Sequence, residues 1–457
     1  MSTQPARGMR DFLPEEIRRR EYVVDVIRGV YDRYGFEPLE TPAAENIETL
    51  LGKYGDEGNK LIFKILRRGE HEASGEPDLA LRYDLTVPLA RVVAEYQSKL
   101  PKIFKRYQIQ PVWRADRPAR GRFREFYQCD IDSIGSASPV VEADQIAAVS
   151  EVFHRLRFTD FKIIINHRGV LTGLLDAADI ASEQHGTALV ALDKLDKIGE
   201  KGVQEEFATR GIDPVKADRL MNLLRGIFTT PPAIPENHGV MVNRSRLDEL
   251  HQILDSTRHK AAVENLGEIL RLLGPSQFAN NVYIDPRLAR GLSYYTGAIM
   301  EIVVPDLAGS LGGGGRYDNL IGTFLGREVP ACGFSLGLER ILFVMNERKM
   351  FPPELADSGV DFVVVGLGDA ALPGAASLAH RLRALNQNVD LYPETITKFP
   401  ELFRYLDQRK AKRIVGIRAS DVEAGIVTLR DLRTTDRKNE TISILALEAR
   451  LTKTDDG

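Results

Sequence analysis

The sequence has few cysteines, no long apolar run and no large excess of one charge. Its 457 residues include two cysteines, Cys129 and Cys332, which are too few for a disulfide framework. No stretch approaches the roughly 20 apolar residues that a membrane-spanning helix needs. Residues 1–7 also lack the apolar core of a signal peptide. We therefore expect a reduced, cytoplasmic protein that does not contact membranes.

The charge balance argues against a uniformly basic surface. The chain has 61 Lys and Arg against 65 Asp and Glu, a net charge of −4. A nucleic-acid partner would therefore have to bind local basic patches. The hydrophobic content of 43% and the charged content of 28% are ordinary for a globular protein. The length exceeds one compact core, so we expect two to four domains.

The first part of the chain and its middle differ in pattern. Residues 15–35 carry apolar side chains at helical spacing. Strand-like runs follow with few helices between them, which favours an antiparallel sheet. These runs are at 80–87, 102–114, 123–131 and 161–166. Residues 176–274 favour helices instead, with a proline-rich loop at 229–235.

Strand-like runs return at 282–284 and 298–304, and a helix is predicted at 337–346. After a linker at 349–354, strands and helices alternate, as they do in a separate α/β domain. These patterns together predict an α+β fold. The expected divisions are 1–175, 176–274, 275–350 and 358–457.

Three of the predicted strands carry a polar face, because side chains alternate between the two faces of a strand. One reading is a sheet with a solvated side, and the other is a wet binding surface. The density of arginine and carboxylate favours a binding surface. The side chains that share these faces are Arg82, Asp84 and Thr86; Arg114 and Asp116; and Arg124, Phe126, Gln128, Asp130 and Asp132.

These polar faces suit a nucleotide triphosphate together with an amino acid. Arginine offers bidentate donors to phosphate oxygens. Phe126 offers a flat surface for a base. Carboxylates accept hydrogen bonds from an ammonium group or hold Mg²⁺.

Two later segments combine arginine, tyrosine and glycine. Residues 290–297 read Arg-Gly-Leu-Ser-Tyr-Tyr-Thr-Gly, and residues 312–318 read Gly-Gly-Gly-Gly-Arg-Tyr-Asp. The glycine run alone could be a plain loop. It is not a Walker P-loop, because no Gly-Lys-Ser/Thr follows it. The two segments together indicate a small polar pocket that a backbone can approach closely.

Several motifs resemble those of class II aminoacyl-tRNA synthetases. Residues 112–116 followed by 122–126 are similar to their motif 2, residues 333–340 to motif 3, and residues 28–42 to motif 1. With the segments 290–297 and 312–318, the chain resembles histidyl-tRNA synthetases over almost its whole length. The resemblance implies an antiparallel-sheet catalytic core at 1–175 and 275–350. It also implies a helical insertion at 176–274 and an anticodon-binding α/β domain at 358–457.

The resemblance implies a set of site residues. The catalytic residues would be Arg114, Arg290 and Arg340. The ATP-binding residues would be Arg114, Asp116, Arg122, Phe126 and Arg340. The histidine-binding residues would be Asp84, Thr86, Gln128, Asp132, Arg290, Tyr294, Tyr295 and Tyr317. Four positions depart from the family pattern: aspartates replace glutamates at Asp84, Asp116 and Asp132, and Ser293 stands where aspartate is common.

The implied reaction has two steps. Histidine attacks the α-phosphorus of ATP, with Mg²⁺ as the counter-ion, and gives histidyl-adenylate and pyrophosphate. The terminal ribose of tRNA(His) then takes the histidyl group. The resemblance to motif 1 implies a homodimer. The eight histidines show no metal-ligand spacing, so we expect no zinc.

Two alternatives to a histidine–tRNA ligase stay open. One is a non-catalytic relative that regulates ATP phosphoribosyltransferase, although such regulators usually lack the C-terminal domain and lose the histidine motif. The other is a class II synthetase for proline, threonine or glycine. The basic cluster of the last domain is either a solvated helix end or a tRNA-backbone patch. It consists of Arg404, Arg409, Lys410, Lys412 and Arg413.

Overall fold

The chain forms two compact units, residues 1–351 and 352–457. Each unit has its own sheet and its own apolar core. The computed structural model describes residues 3–54, 58–67, 75–228, 239–254, 256–274, 278–290, 294–356, 359–394, 396, 399–434 and 438–452.

An eight-stranded sheet forms the centre of the first unit. The strands of this unit are β1 (Glu37–Pro38), β2 (Ala44–Asn46), β3 (Lys64–Leu66), β4 (Pro77–Leu81), β5 (Phe104–Trp113), β6 (Glu125–Ile134), β7 (Lys162–His167), β8 (Val282–Ile284), β9 (Ala298–Val303), β10 (Gly312–Arg316) and β11 (Ala331–Gly337). The large sheet has the order β1-β5-β6-β11-β10-β9-β7-β8, and β2, β4 and β3 form a small second sheet. Among the described strands of the large sheet, the two outermost pairs, β1 with β5 and β7 with β8, are parallel. The other pairs in that sheet are antiparallel. The expected antiparallel core is therefore confirmed.

Helices cover the sheet and fill the stretch between β7 and β8. They are α1 (Pro14–Arg33), α2 (Ile47–Leu50), α3 (Thr86–Tyr96), α4 (Val140–Arg155), α5 (Arg168–Ala177), α6 (His185–Leu192), α7 (Leu195–Thr209), α8 (Pro214–Phe228), α9 (Gly239–Ile253), α10 (Thr257–Leu273), α11 (Gly322–Leu325) and α12 (Leu338–Glu347). Helix α1 buries Val23, Ile27, Val30 and Tyr31, which recur at helical spacing. The predicted proline-rich loop at 229–235 lies outside the described residues. None of the described helices is both long and apolar enough to span a bilayer.

Several helices of this unit were not predicted, and α3 and α4 are the longest of them. The predicted strand at 80–87 is wrong beyond Leu81, because helix α3 begins at Thr86. Asp84 Oδ1 accepts a hydrogen bond from Val87 N (3.0 Å), which satisfies a free N–H of the first helical turn. Pro88 is tolerated there because the N–H groups of the first turn have no helical partner. Helix α4 between β6 and β7 was also missed.

The second unit has a mixed five-stranded sheet between helices. Its elements are α13 (Pro353–Ala356), β12 (Phe362–Gly366), α14 (Leu372–Ala384), β13 (Val389–Leu391), α15 (Phe399–Gln408), β14 (Arg413–Ile417), α16 (Ala419–Ala424), β15 (Ile426–Asp431), β16 (Asn439–Ser443) and α17 (Ile444–Thr452). The strand order is β13-β12-β14-β15-β16. Phe362 and Val364 pack in one apolar cluster, while Val363 and Val365 pack in another with Leu402 of α15. This alternation places helices on both faces, as the α/β prediction requires.

Candidate active site

A cavity of about 160 Å³ opens over the middle strands of the large sheet. Its walls come from the turn before α3, from β6, from Arg290, Tyr294 and Tyr295, from residues 310–317, and from β11 with the start of α12. The lining residues are Asp84, Thr86, Arg114, Phe126, Gln128, Asp130, Asp132, Arg290, Tyr294, Tyr295, Ser310, Leu311, Gly312, Gly313, Gly314, Tyr317, Gly333, Phe334, Ser335, Gly337 and Arg340.

The floor of the cavity is a set of residues paired across β5, β6 and β11. Cross-strand partners project from the same face of a sheet, so a polar residue on one strand lies beside its partners on the next. Three rows result. They are Arg106, Asp132 and Gly333; Gln108, Asp130 and Ser335; and Gln110, Gln128 and Gly337. The opposite face of β6 places Cys129 and Ile131 in the apolar core.

Glycines make room for the polar side chains of the floor. A Cβ added at Gly333 would overlap Asp132 Oδ1, and one added at Gly313 would overlap Arg290 Nη1. The glycine run is therefore a strand, β10, rather than a loop. Its lack of side chains lets Arg290 lie directly over the backbone, where Nη1 donates to Glu301 Oε1 (2.9 Å).

One end of the cavity holds a buried carboxylate among tyrosines. The Tyr317 hydroxyl donates to Asp132 Oδ1. Arg106 Nη2 forms an ion pair with Asp132 Oδ2 at 2.7 Å, and both side chains are almost fully buried. Burial raises the pKa of Asp132, and the Arg106 charge opposes that rise. The rings of Tyr294 and Tyr295 lie with their centroids 4.9 Å apart beside this group.

Asp84 lies in the turn that precedes α3. Its Oδ1 accepts from the Tyr54 hydroxyl (3.0 Å) as well as from Val87 N. Burial raises the pKa of Asp84, whereas these hydrogen bonds and Arg114 favour the ionised form. Nearby, Gln128 Nε2 donates to Ser335 Oγ (2.5 Å), which fixes the amide on the floor. A carboxylate and an amide oriented in this way suit an ammonium and a carboxylate group.

Two arginines and an aromatic ring form the third part of the cavity. Arg114 Nε donates to Tyr83 O (2.9 Å) and Nη2 to Gln128 Oε1 (3.3 Å). Its guanidinium carbon lies 5.2 Å from the centroid of the Phe126 ring. Arg340, at the start of α12, donates to Ala308 O, and burial together with Arg122 lowers its pKa. Fixed guanidinium groups beside an aromatic plane suit a nucleotide with its phosphates.

Comparison with known families then decides the identity. The family model described as "Histidyl-tRNA synthetase" matches residues 8–341, and the one described as "Anticodon binding domain" matches residues 361–454.

The chain belongs to the histidyl-tRNA synthetase family.

Relatives of nearly equal length support this membership. A "Histidine--tRNA ligase" of Gloeobacter violaceus is 39% identical, and the match covers 96% of each chain. A second one, from Cytophaga hutchinsonii, is also 39% identical over 93% of this chain and 94% of that protein. The crystal structure of histidyl-tRNA synthetase from Nostoc sp. PCC 7120 aligns with a TM-score of 0.77 at 30% identity. It covers 99% of this chain and 100% of the other.

A further structure shares the fold alone. It is described as an "ATP phosphoribosyltransferase regulatory subunit/histidyl-tRNA synthetase" from Bacillus halodurans, with a TM-score of 0.71 and 22% identity. The hypothesis that the chain regulates ATP phosphoribosyltransferase is therefore no better supported than the hypothesis that it is a histidyl-tRNA synthetase.

Most residues that the family resemblance singled out lie together. The residues that line the cavity are Asp84, Thr86, Arg114, Phe126, Gln128, Asp132, Arg290, Tyr294, Tyr295, Tyr317 and Arg340. Asp116 and Arg122 are outside this lining and form an ion pair with each other at 3.0 Å. Ser293 lies outside the described residues.

The interpretation of Arg82 as part of the polar binding face is wrong. Its guanidinium points away from the cavity and donates to Thr41 O (2.6 Å) and Pro111 O (2.8 Å). The strand alternation that suggested the shared face ends at Leu81. Arg82 therefore binds the main chain of neighbouring segments rather than a ligand.

Sequence reasoning missed three residues of this site. Ser335 lines the cavity, Tyr54 holds Asp84, and Arg106 holds Asp132. Asp130, which strand alternation placed on the polar face of β6 without a role, also lines the cavity. Arg106 could be found only from its register with β6.

A buried ion pair supports the segment that carries Tyr317. Arg316 Nε and Nη2 lie 2.6 and 2.7 Å from the two carboxylate oxygens of Glu142 on α4. Arg316 also donates to Ser136 O at 3.0 Å. Arg316 is thus part of the scaffold of this family member rather than a ligand-binding group. Within the described part of the chain, no cluster of three His, Cys, Asp or Glu side chains is arranged to hold a metal ion.

Proposed function

We propose that this chain is a histidine–tRNA ligase, which activates histidine with ATP and transfers it to tRNA(His). The observation that carries this proposal is one shared cavity. It joins Asp132 and Tyr295, which suit an imidazole, to Arg114, Phe126 and Arg340, which suit a nucleotide. The full-length likeness to histidine–tRNA ligases supports the same activity.

Histidine would lie across the floor of the cavity. A neutral imidazole has one donor and one acceptor nitrogen. Ionised Asp132 would accept from the donor nitrogen. Tyr295 keeps its proton because burial raises its pKa, so its hydroxyl could donate to the other nitrogen. Such a site leaves buried groups unpaired with any amino acid that lacks this pattern, which is the physical basis of its selectivity.

The other groups of histidine would meet the remaining polar residues. Asp84 and Thr86 would bind the α-ammonium group. Gln128 and Arg290 would bind the carboxylate. Tyr294 and Tyr317 would close the pocket around the ring.

ATP would bind between Phe126 and Arg340. Phe126 would stack on adenine from one side and Arg340 on the other. Arg114 would neutralise the α-phosphate as the histidine carboxylate attacks the phosphorus. Its guanidinium is held in advance by Tyr83 O and Gln128, so little reorganisation is needed during the reaction. Arg122 and Asp116 do not line the cavity but form an ion pair beside it. Arg122 would bind the outer phosphates, and Asp116 would hold Arg122 in the motif 2 loop.

Mg²⁺ would arrive with the triphosphate rather than occupy a protein-only site. Among the described residues, no cluster of three His, Cys, Asp or Glu side chains is placed to hold the ion. No zinc is proposed. The second unit would bind the anticodon stem of tRNA(His), in line with its family match.

Organisation in the cell forms part of the same proposal. We infer a cytoplasmic homodimer with motif 1, residues 28–42, at its interface. Residues 1–175 and 275–350 would make the catalytic core, 176–274 the insertion and 358–457 the tRNA-binding domain.

Histidine-dependent ATP–pyrophosphate exchange tests the activation step. Purified protein should exchange with histidine, and with proline, threonine and glycine it should remain at background. Charging of a tRNA(His) transcript, with a tRNA for another amino acid as control, tests the transfer step. Absence of histidine-dependent exchange in folded protein would refute the proposed activity and favour a regulatory protein.

A further inference from the structure

Arg106 lies beneath the cavity and contacts two of the segments that form its wall, the strand β6 and the turn before α3. The residue is on β5, opposite Asp132 in the register with β6, and it is 0% exposed. Its Nη2 lies 2.7 Å from Asp132 Oδ2 and 3.2 Å from Leu85 O. Its Nη1 donates to Gln108 Oε1 (3.2 Å). One planar group thus joins the carboxylate at one end to the turn that carries Asp84 and Thr86 at the other.

We propose that Arg106 is a positioning residue for histidine recognition, which holds Asp132 ionised and fixes its distance from the Asp84–Thr86 turn. This inference rests on the proposed function. Arg106 does not line the cavity, so it would act only through the groups that touch the substrate.

The state of Asp132 depends on this contact. Oδ1 accepts from the Tyr317 hydroxyl. Oδ2 is in the ion pair but accepts no well-aligned hydrogen bond from the described residues. An imidazole N–H that approaches the Asp132 carboxylate from the cavity would therefore meet an acceptor with the charge of Arg106 next to it. A fully buried carboxylate without a cation would take up a proton, and it would then lose the negative charge that strengthens its hydrogen bond with an imidazole N–H.

The other charged or titratable groups around Asp132 do not replace Arg106. Asp130 and Asp84 are acidic, and they disfavour a second negative charge. Tyr317, Tyr31 and Cys332 all have pKa values raised by burial and stay neutral. The groups that face Asp132 are Arg106 from β5, Asp130 from β6, Cys332 from β11, Tyr31 from α1, Asp84 from the turn before α3 and Tyr317 after β10.

An arginine suits this task better than a lysine. The guanidinium is planar and permanently charged, and it offers several donors in fixed directions. Arg106 uses them on three different acceptors at once. A lysine would keep the charge but could not reach all three with one ammonium group.

Four single variants and one double variant test the inference by steady-state ATP–pyrophosphate exchange. Asp132→Asn is one of the single variants and is the reference for the double variant. Arg106→Met removes the charge, and Arg106→Lys keeps it. Arg82→Met is the matched control, because Arg82 is an equally buried arginine that binds Thr41, Pro111 and Gln110 but not Asp132. Arg106→Met combined with Asp132→Asn shows whether Arg106 acts through Asp132.

In Arg106→Met we expect the KM for histidine to rise roughly 10- to 100-fold, as for truncation of one partner of a buried charge pair. The KM for ATP should change by less than about twofold, because the nucleotide-binding groups are untouched. The rise should be larger at pH 6 than at pH 8.5, because Asp132 then holds its proton. Arg106→Lys should recover most of the affinity, and Arg106→Met should add nothing further once Asp132 is Asn.

Other results would overturn the inference. Equal losses for histidine and ATP, or the same histidine-specific and pH-dependent loss in Arg82→Met, would show a merely structural role. If wild-type protein exchanges with histidine and Arg106→Met keeps the wild-type KM, the positioning role fails while the proposed activity stands. If wild-type protein shows no exchange, the proposed activity itself fails. If Arg106→Met does not fold, Arg106→Lys carries the test: a rise in the KM for histidine of less than about tenfold with an unchanged KM for ATP supports the positioning role, and equal losses for histidine and ATP contradict it.

Discussion

The buried acids of the first unit and the surface acids of the second unit differ in the direction of their pKa shifts. Asp130 and Glu339 of the first unit have pKa values raised to about 7 by burial. In the second unit, a hydrogen-bonded Arg433 lowers the pKa of Asp431 to about 2, and Arg450 lowers that of Glu440. Asp130 and Glu339 are buried in the interior of the first unit, while Asp431 and Glu440 are ion-paired with arginines nearer the surface of the second.

This contrast separates a site from a scaffold. Burying several carboxylates next to one another opposes folding, and a fold keeps such groups where they serve binding or chemistry. Surface ion pairs of the second unit instead contribute little and are easily replaced. Even its basic cluster follows this rule, because Arg409, Lys412 and Arg413 face Asp390, Asp361 and Asp431. These pairings favour the solvated helix end over a tRNA-backbone patch.

The largest expected effect comes from breaking a buried ion pair. Glu142→Gln leaves Arg316 buried beside a neutral partner, and we expect the free energy of unfolding to fall by about 3–5 kcal/mol. The matched change in the second unit is Asp431→Asn, which removes an exposed pair with Arg433 (2.6 Å) and should cost at most about 1 kcal/mol. Urea unfolding of both variants at pH 7 measures the difference. Equal midpoints would erase the contrast between the units.

A methyl group added to a strand glycine should distinguish the two sheets. Gly333→Ala forces a Cβ onto Asp132 Oδ1, and we expect kcat/KM for histidine to fall at least about 100-fold, as for loss of a preorganised contact. Gly416→Ala in β14 meets only Leu367 Cδ1 at 3.5 Å, an ordinary contact. ATP–pyrophosphate exchange should stay within about twofold of wild type there. Retained activity in Gly333→Ala would mean that Asp132 does not need its present position.

Arginine-to-lysine changes test whether the planar, two-pronged geometry of guanidinium matters for activity in the cavity but not at the surface. Arg114→Lys keeps the charge but loses the two directed hydrogen bonds, so we expect kcat for exchange to fall roughly 10- to 100-fold. Arg381→Lys breaks a bidentate surface pair with Glu448 (both contacts 2.7 Å) and should leave kcat unchanged. A wild-type rate in Arg114→Lys would show that its charge alone suffices.

Strand alternation recovered the part of the site that lies on β6. Phe126, Gln128, Asp130 and Asp132 occur at every second position, and an isolated strand displays that period directly. The same reasoning failed at residues 82–86, where Asp84 caps a helix and the alternation of polar and apolar residues is accidental. Local capping decided the outcome there, and the period-two pattern could not reveal it.

The register between strands and the steric fit above the glycines could not be predicted from the sequence. Arg106 is joined to Asp132 only because β5 pairs with β6 in one alignment, and nothing in either segment specifies that alignment. The glycine run could be read as a loop because glycine disfavours strands. It forms β10, where a glycine at position 313 leaves space for Arg290 above the backbone.

The smallest expected effect is a pH dependence set by Asp130. With a pKa of about 7, raised by burial and by Asp132 and lowered by Arg106, the group is mostly neutral at pH 6 and mostly ionised at pH 8. Its negative charge attracts the histidine ammonium group, so the KM for histidine should fall between pH 6 and pH 8. The fall should be about two- to fivefold greater than in Asp130→Asn, whose side chain cannot ionise. Titration of free histidine affects both proteins equally and cancels in their ratio.

Ionisation of Asp130 should also affect stability: it favours histidine binding but lowers the free energy of unfolding. The folded-state pKa of Asp130 lies above the unfolded value of 3.8, so the folded state holds the proton more tightly. The free energy of unfolding therefore decreases as the pH rises from about 4 to about 7. Asp130→Asn should lose less stability than wild type over that interval, as urea midpoints at pH 5 and pH 8 would show. Identical pH profiles for both proteins would mean that Asp130 already carries its charge at pH 5, and the acids of the two units would then differ less than their burial implies.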